Sequence, residues 1–225
     1  MVILAAVFFF LAYHPMLSMP ILTLVGVVLG AVLATLFRQR RWFFLIIPFF
    51  LFSIVNVFTG HIWNALFLNG LGTKGAAVIV HQRETNIQLN DQYIWEYDAV
   101  LKTADNRDVA VHFDTMSASI YPIRNEILIP PQNEVFMVKY IPGFERNIVI
   151  LSDESDYGKR LIIDQEKGPV EKAAGQYAVS PRNPAFINEY RDALTTFITK
   201  HRNDADPDLI EGYQRELEQL ANGER

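Results

Sequence analysis

The stretch "ATLFRQRRWFF", residues 34–44, contains Arg38, Arg40 and Arg41. No other Lys, Arg, Asp or Glu occurs in the first 72 positions of a 225-residue chain that carries 20 Lys and Arg and 25 Asp and Glu. Uncharged apolar runs flank the cluster, Pro20 to Phe37 on one side and Trp42 to Thr59 on the other. A helix of about 18 residues is about 27 Å long, close to the thickness of a bilayer's hydrocarbon core. One arginine at the centre of such a helix costs about 2.5–3.5 kcal/mol on the insertion scale. Three within four residues would outweigh the Leu and Phe around them. Residues 37–42 therefore read as a loop at a membrane face. Short loops rich in Arg stay cytoplasmic, which makes Arg38, Arg40 and Arg41 the topology determinants.

A third apolar run, Met1 to Met19, precedes these two. It lacks the positive n-region of a secretory signal, and "HPMLSMP" is a poor cleavage site. We expect a helical hairpin whose turn lies at His14–Pro20, where two prolines interrupt helix continuity. That gives a transmembrane region over residues 1–72, with three transmembrane helices at about 1–19, 20–37 and 42–64. The N-terminus would then be cytoplasmic and everything after about residue 60 extracytoplasmic. Trp63, Asn64, Phe67 and Asn69 suit the membrane interface. Gly26 and Gly30 form a G-x-x-x-G suited to close helix packing, and Pro48 is a further packing or kink position.

The rest of the chain is a different material. Residues 73–225 hold 17 Lys and Arg against all 25 Asp and Glu, a net charge of −8. An acidic half repels nucleic acid, so no nucleic-acid partner is expected. With no cysteine, disulfides, thiolate metal sites and cysteine nucleophiles are excluded. Ala76–Arg83 is a β-branched run. Gln92–Thr103 alternates, with Tyr93, Trp95, Tyr97, Ala99 and Leu101 on one face. "ADNRD" is a turn by composition, and Val109, Val111 and Phe113 continue as the second arm of a hairpin. "EVFMVKYI" and "NIVIL" are two more strands. Five short strands at this spacing predict a small antiparallel β-barrel or sandwich over 73–152.

The segment "NEVFMVKYIPGFERNIVIL" resembles an uncharacterised family of bacterial membrane proteins that join transmembrane helices to a small extracytoplasmic β-domain. Val138, Tyr140, Pro142 and the strand Ile148–Leu151 carry the resemblance, over about residues 70–152. Asn133 stands where that pattern has glycine, and Asn tolerates the left-handed conformation the turn needs. The family has no established activity, so the resemblance implies fold and location only.

From Ser152 the chain turns polar, with Pro169, Pro181 and Pro184 as punctuation, and 153–182 reads as an irregular connector. Asn183–Pro184 and Asp206–Pro207 are helix-start signals. Phe186, Tyr190, Leu194, Phe197 and Ile198 recur at helical spacing, as do Leu209, Ile210, Tyr213, Leu217 and Leu220. Residues 183–225 are therefore expected to form a helical hairpin. Its apolar residues Phe186, Tyr190, Leu194, Phe197, Leu209, Tyr213 and Leu217 would cover a partner, a second copy or the β-domain. The whole reads as a membrane protein with three N-terminal transmembrane helices followed by an α+β soluble part.

Chemistry is thinly represented. Gly70-x-Gly72-x-x-Gly75 matches a dinucleotide fingerprint as a string but follows a helix and enters a strand, the reverse of that motif's context. His112 and Asp114, with His81, could be metal ligands, yet the alternation places them on the solvated face. "DESD" lacks the spacing of a calcium loop. No catalytic, cofactor-binding or metal residues are expected, and no small-molecule ligand. The sequence points to a non-enzymatic, membrane-anchored extracytoplasmic interaction or accessory protein of the bacterial inner membrane. Its partners would be the lipid bilayer and another envelope protein or a second copy. The alternatives are a subunit of a transporter or channel complex, and a hydrolase whose site is not legible.

Overall fold

The computed structural model describes residues 1–89 and 91–223. Two compact units divide the chain, Met1–Ser155 and Asp156–Arg225. The first opens with helices α1 (Val2–Tyr13) and α2 (Pro15–Leu36). A 3-10 turn (Arg40–Leu45) then leads into α3 (Ile46–Leu71).

Two helical stretches, Pro15–Leu36 and Arg40–Leu71, are long and apolar enough to cross a membrane. Only 17% of each apolar window is buried, unlike the core helix of a soluble protein. Their surfaces are Leu, Val, Ile and Phe open to the outside. At 12 residues α1 is about 18 Å long, too short for a third crossing.

The expected hairpin at His14–Pro20 does not form. Pro20 lies inside α2, and the chain breaks only at His14. Contacts along α3 show how α1 and α2 are arranged. Ala5 clusters with Ala65 and Leu68, and Phe8 stacks on Phe67 with centroids 4.5 Å apart. Gly60 faces Leu11 and Ala12, Gly26 faces Phe49, and Gly30 faces Trp42. As position rises along α1 and then α2, it falls along α3. The two helices are therefore one interrupted line, antiparallel to α3. The Met1 end of α1 and the sheet consequently lie at the same end of the helix pair. The Arg38–Arg41 loop lies at the other end.

Proline chemistry explains the break. Pro15 has no N–H, which leaves the Leu11 carbonyl without its helical donor. The Asn56 side-chain amide of α3 donates to that carbonyl at 3.0 Å and to the Ser18 hydroxyl at 2.9 Å. An unmet carbonyl in hydrocarbon costs several kcal/mol, about what this replacement avoids.

Gly26 and Gly30 are buried, as close packing requires. A methyl on Gly26 would lie 2.7 Å from Phe49 Cβ, and one on Gly30 2.9 Å from the Trp42 carbonyl oxygen. Pro48 is exposed, at the junction where the 3-10 turn becomes α3. It starts the helix rather than kinking or packing it, because proline is tolerated in a first turn.

α3 runs through Leu71 and passes into β1 (Thr73–Leu89) with only Gly72 between them. The other strands are β2 (Gln92–Lys102), β3 (Asp108–Asp114), β4 (Ile120–Tyr121), β5 (Val135–Ile141) and β6 (Phe144–Leu151). They form one sheet in the order β3-β2-β1-β5-β6-β4, antiparallel except for the parallel β4–β6 pair. The sheet is open, so the expected barrel or sandwich is not the architecture. It curls enough to bring β3 near β6, but no ladder closes it.

Tyr97, Ala99, Leu101, Val111 and Phe113 are buried, as the alternation predicts. Towards the β1–β2 turn the phase slips, leaving Tyr93 exposed and Ile94 buried. Asn133 has φ of 65°, the left-handed conformation expected of its turn, and Asn106, in the "ADNRD" turn, has φ of 64°. β6 is buried on both faces. Val149 and Leu151 join Ile141 beneath Ala5, Ala65 and Leu68, while Ile148 and Ile150 point the opposite way.

The second unit is all helix: α4 (Asp156–Glu166), α5 (Gly168–Val179), α6 (Pro184–His201) and α7 (Pro207–Gly223). Most of the expected irregular connector is thus α4 and α5. Pro169 sits in the first turn of α5 and begins it. The Asn183 side chain accepts from the Ala185 N–H at 3.0 Å, and Asp206 accepts from the Asp208 N–H at 2.9 Å, so both caps form as expected.

The hairpin α6–α7 does not leave its stripe free for a partner. Tyr190, Leu194 and Phe197 are buried with Ile210 and Leu220 against Val170 and Ala173 of α5. Leu209, Tyr213 and Leu217 pack on the same cluster, and Phe186 is half-buried beyond it.

Candidate functional site: a lateral cavity beside the long helix

α3 uses two faces differently. Ser53, Asn56, Gly60 and Asn64 recur every three or four residues and are fully enclosed against the α1–α2 line and the sheet. This is helical spacing in small and amide side chains, the composition that lets helices approach closely. Around the same turns, Val57, Phe58, His61 and Ile62 turn away from that seam and form one wall of a cavity of about 330 Å³.

The other walls belong to the sheet. Leu89 comes from the end of β1, Tyr93 and Ile94 from the start of β2, and Met116 and Ala118 from the segment after β3. Ile123 and Ile127, from the loop after β4, complete it. The volume falls at the lower end of ligand clefts, about 300–1,000 Å³, and the lining is mostly apolar as in such clefts. Its charged lining groups are Arg124 and Glu126. Arg124 binds Asp153 through both nitrogens, Nη1 to Oδ1 at 2.5 Å and Nη2 to Oδ2 at 2.9 Å. This pairing with Arg124 holds the Asp153 carboxyl below its usual range.

A buried amide network fixes α3 to the sheet immediately beside the cavity. The side chains of Asn64 and Asn147 bond reciprocally, Asn64 Nδ2 to Asn147 Oδ1 at 2.8 Å and Asn147 Nδ2 to Asn64 Oδ1 at 2.9 Å. Asn64 also donates to the Ser119 hydroxyl at 2.8 Å, and Asn147 to the Ala5 carbonyl at 3.2 Å. All three side chains are essentially inaccessible. One network thus joins α1, α3, β6 and the segment entering β4. Sequence reading gave Asn64 an interfacial role and passed over Asn147. The available signal was an asparagine opening the otherwise apolar "NIVIL".

Residues singled out for chemistry are dispersed. His112 Nδ1 lies 2.9 Å from Asp98 Oδ1 on the neighbouring strand, not against Asp114. Asp114 instead accepts the backbone N–H of Met116 and Ser117 in a turn. Among the described residues no three His, Asp or Glu side chains converge as a metal site would require. Gly72 and Gly75 meet a packing need: a methyl on either would lie within 3 Å of a backbone oxygen. Within "DESD", Asp153 pairs with Arg124 and Glu154 with Lys74 at 2.6 Å. In the helical unit, His201 Nε2 and Lys200 Nζ each lie 2.5 Å from a Glu166 oxygen, and Lys200 foremost holds the Glu166 carboxyl below its usual range.

No protein-family model, curated protein or solved structure matches this chain.

Proposed function

We propose that the protein is a two-pass, membrane-anchored accessory or interaction protein of the bacterial inner membrane, without catalytic activity, whose sheet and helical unit lie outside the cytoplasm. The observation that carries this reading is the junction between α3 and the sheet. One helix runs from an apolar crossing segment straight into β1, and the Asn64–Asn147–Ser119 network clamps the two together. Such a joint holds the sheet at a set height and orientation on the bilayer, which suits docking to another envelope protein or a second copy. The arginine loop, at the far end of the helix pair, sets the orientation. With α1 and α2 as one pass, the Met1 end belongs on the same side as the sheet.

The chain has no cysteine, so single-cysteine variants report topology cleanly. In intact spheroplasts, Asp105→Cys and Asp204→Cys should react with an impermeant maleimide. Gln39→Cys should react only after permeabilisation, and an epitope placed before Met1 should be accessible from outside. Labelling of Gln39→Cys in intact spheroplasts would overturn the orientation.

The interrupted helix favours one other reading, a transporter or channel subunit, since broken helices line substrate paths in transporters. Here the break is filled by Asn56, which gives it a packing role. Loss of partner binding on mutating the outer part, with the crossing segments intact, separates the two readings.

A further inference from the structure

We infer that the cavity beside α3 holds an acyl chain of a bilayer lipid drawn from the leaflet nearest the sheet. This deepens the anchor reading above and rests on it.

Three observations converge. First, the α3 wall of the cavity continues the lipid-facing surface of the crossing segment. Leu51, Ile54 and Phe58 lie along one stripe, 55%, 36% and 71% exposed, and the next turn of that stripe is His61 and Ile62. A chain lying against Ile54 and Phe58 needs no change of direction to enter the cavity.

Second, the sheet side of the mouth is apolar where an acidic, water-facing unit should be polar. Leu89, Tyr93, Met116, Ile123 and Ile127 line the cavity and are also 39–58% exposed. Leu89 and Tyr93 lie at the facing ends of β1 and β2, and Met116, Ile123 and Ile127 lie in loops, segments that ordinarily carry polar side chains. Exposed apolar side chains gathered around one opening mark a membrane or ligand contact.

Third, the charged groups of the lining do not favour an anion: one is Arg124, already ion-paired, and the other is the acidic Glu126. The Arg124 guanidinium is engaged in both arms by Asp153. The site therefore selects a hydrocarbon chain rather than an anionic head group, which would stay outside in the interface.

The test uses the full chain in nanodiscs of phosphatidylcholine that include a phosphatidylcholine with a mid-chain diazirine. After irradiation, adducts are mapped by mass spectrometry. Adducts are expected both on α2 and on the segment 115–127. Ala118→Phe narrows the cavity from within, and Ile123→Asp with Ile127→Asp makes its exposed mouth polar. Each should lower labelling of 115–127 at least fivefold while leaving α2 labelling unchanged. The mouth variant replaces exposed side chains, so it keeps the test open if the inner variant does not fold. Labelling of α2 with none on 115–127 would overturn the inference and leave the anchor intact, whereas no labelling on either would overturn the anchor reading itself. Equal labelling of 115–127 in all variants would mean surface contact only, and would also overturn the inference. Labelling of that segment by a diazirine fatty acid added in detergent, but not by the nanodisc lipid, would overturn the choice of a bilayer lipid.

Discussion

Gly60→Ala probes the close approach of α1 to α3 with a single methyl group. On the observed backbone that methyl would lie 2.6 Å from the Leu11 carbonyl oxygen and 3.2 Å from the Ala12 Cα. Both are main-chain atoms, so no side-chain rotation relieves the clash, and the helices must separate by about half an ångström or more to restore ordinary contact. Overpacking of this kind costs about 1–3 kcal/mol. Separation also stretches the 3.0 Å bond from Asn56 to the Leu11 carbonyl, and membrane hydrogen bonds average about 0.6 kcal/mol. Alanine's helix propensity returns up to about 1 kcal/mol. The net expectation is destabilisation of about 1–3 kcal/mol. Gly70→Ala is the internal control. It is the same change in the same helix, with nothing within 4 Å of the added methyl, and should be neutral or stabilising. Thermal unfolding in mild detergent, or steric trapping in bicelles, measures the difference between the two. If Gly60→Ala proves as stable as Gly70→Ala, α1 does not pack on α3 as described, and the single interrupted line fails with it.

Asn64→Leu should destabilise the first unit by about 1–3 kcal/mol, because it leaves buried amide groups of Asn147 without partners. Asn64→Leu with Asn147→Leu should cost less than the sum of the two single changes, and additive costs in a double-mutant cycle would argue against the reciprocal pair. The Glu166 carboxyl is depressed in the folded protein, mainly by Lys200 and then by His201. Its contribution is therefore fully present above the ordinary carboxylate range and is lost as pH falls through the depressed value. Hydrogen exchange of α4–α7 in the full chain should accelerate over that acidic window, and Glu166→Gln should remove this part of the dependence. Replacing Arg38, Arg40 and Arg41 together by Ala should yield mixed orientations in the maleimide assay, and unchanged uniform orientation would remove these residues as determinants.

Local chemistry made some elements legible before any coordinates. The arginine loop, the two capped helices α6 and α7, and the turns at Asn106 and Asn133 each depend on a few neighbouring residues. Gly26 and Gly30 pack closely, as their spacing suggested. The errors arose where distant contacts decide. Pro15 and Pro20 read as a turn, yet only Pro15 interrupts the helix. Pro169 read as a breaker in an irregular stretch, but proline in a first turn opens a helix as readily as it ends one. The stripe of Tyr190, Leu194 and Phe197 was correct as a stripe. Its partner proved to be α5, within the same unit.

By itself the sequence determined composition-level facts. It contains two uncharged runs long enough to cross a bilayer, a cationic loop between them, and an acidic half with strand and helix periodicities. These follow from transfer free energies and local backbone preferences, which act on neighbours along the chain. Only the tertiary structure decided that α1 and α2 form one line antiparallel to α3 and that the sheet stays open. It also revealed Asn64, Asn147 and Ser119 as a buried clamp, and an apolar cavity opening along the side of α3. Each depends on groups tens of residues apart satisfying one another's hydrogen bonds or filling one another's space, and no periodicity in the chain records which distant partner will do so.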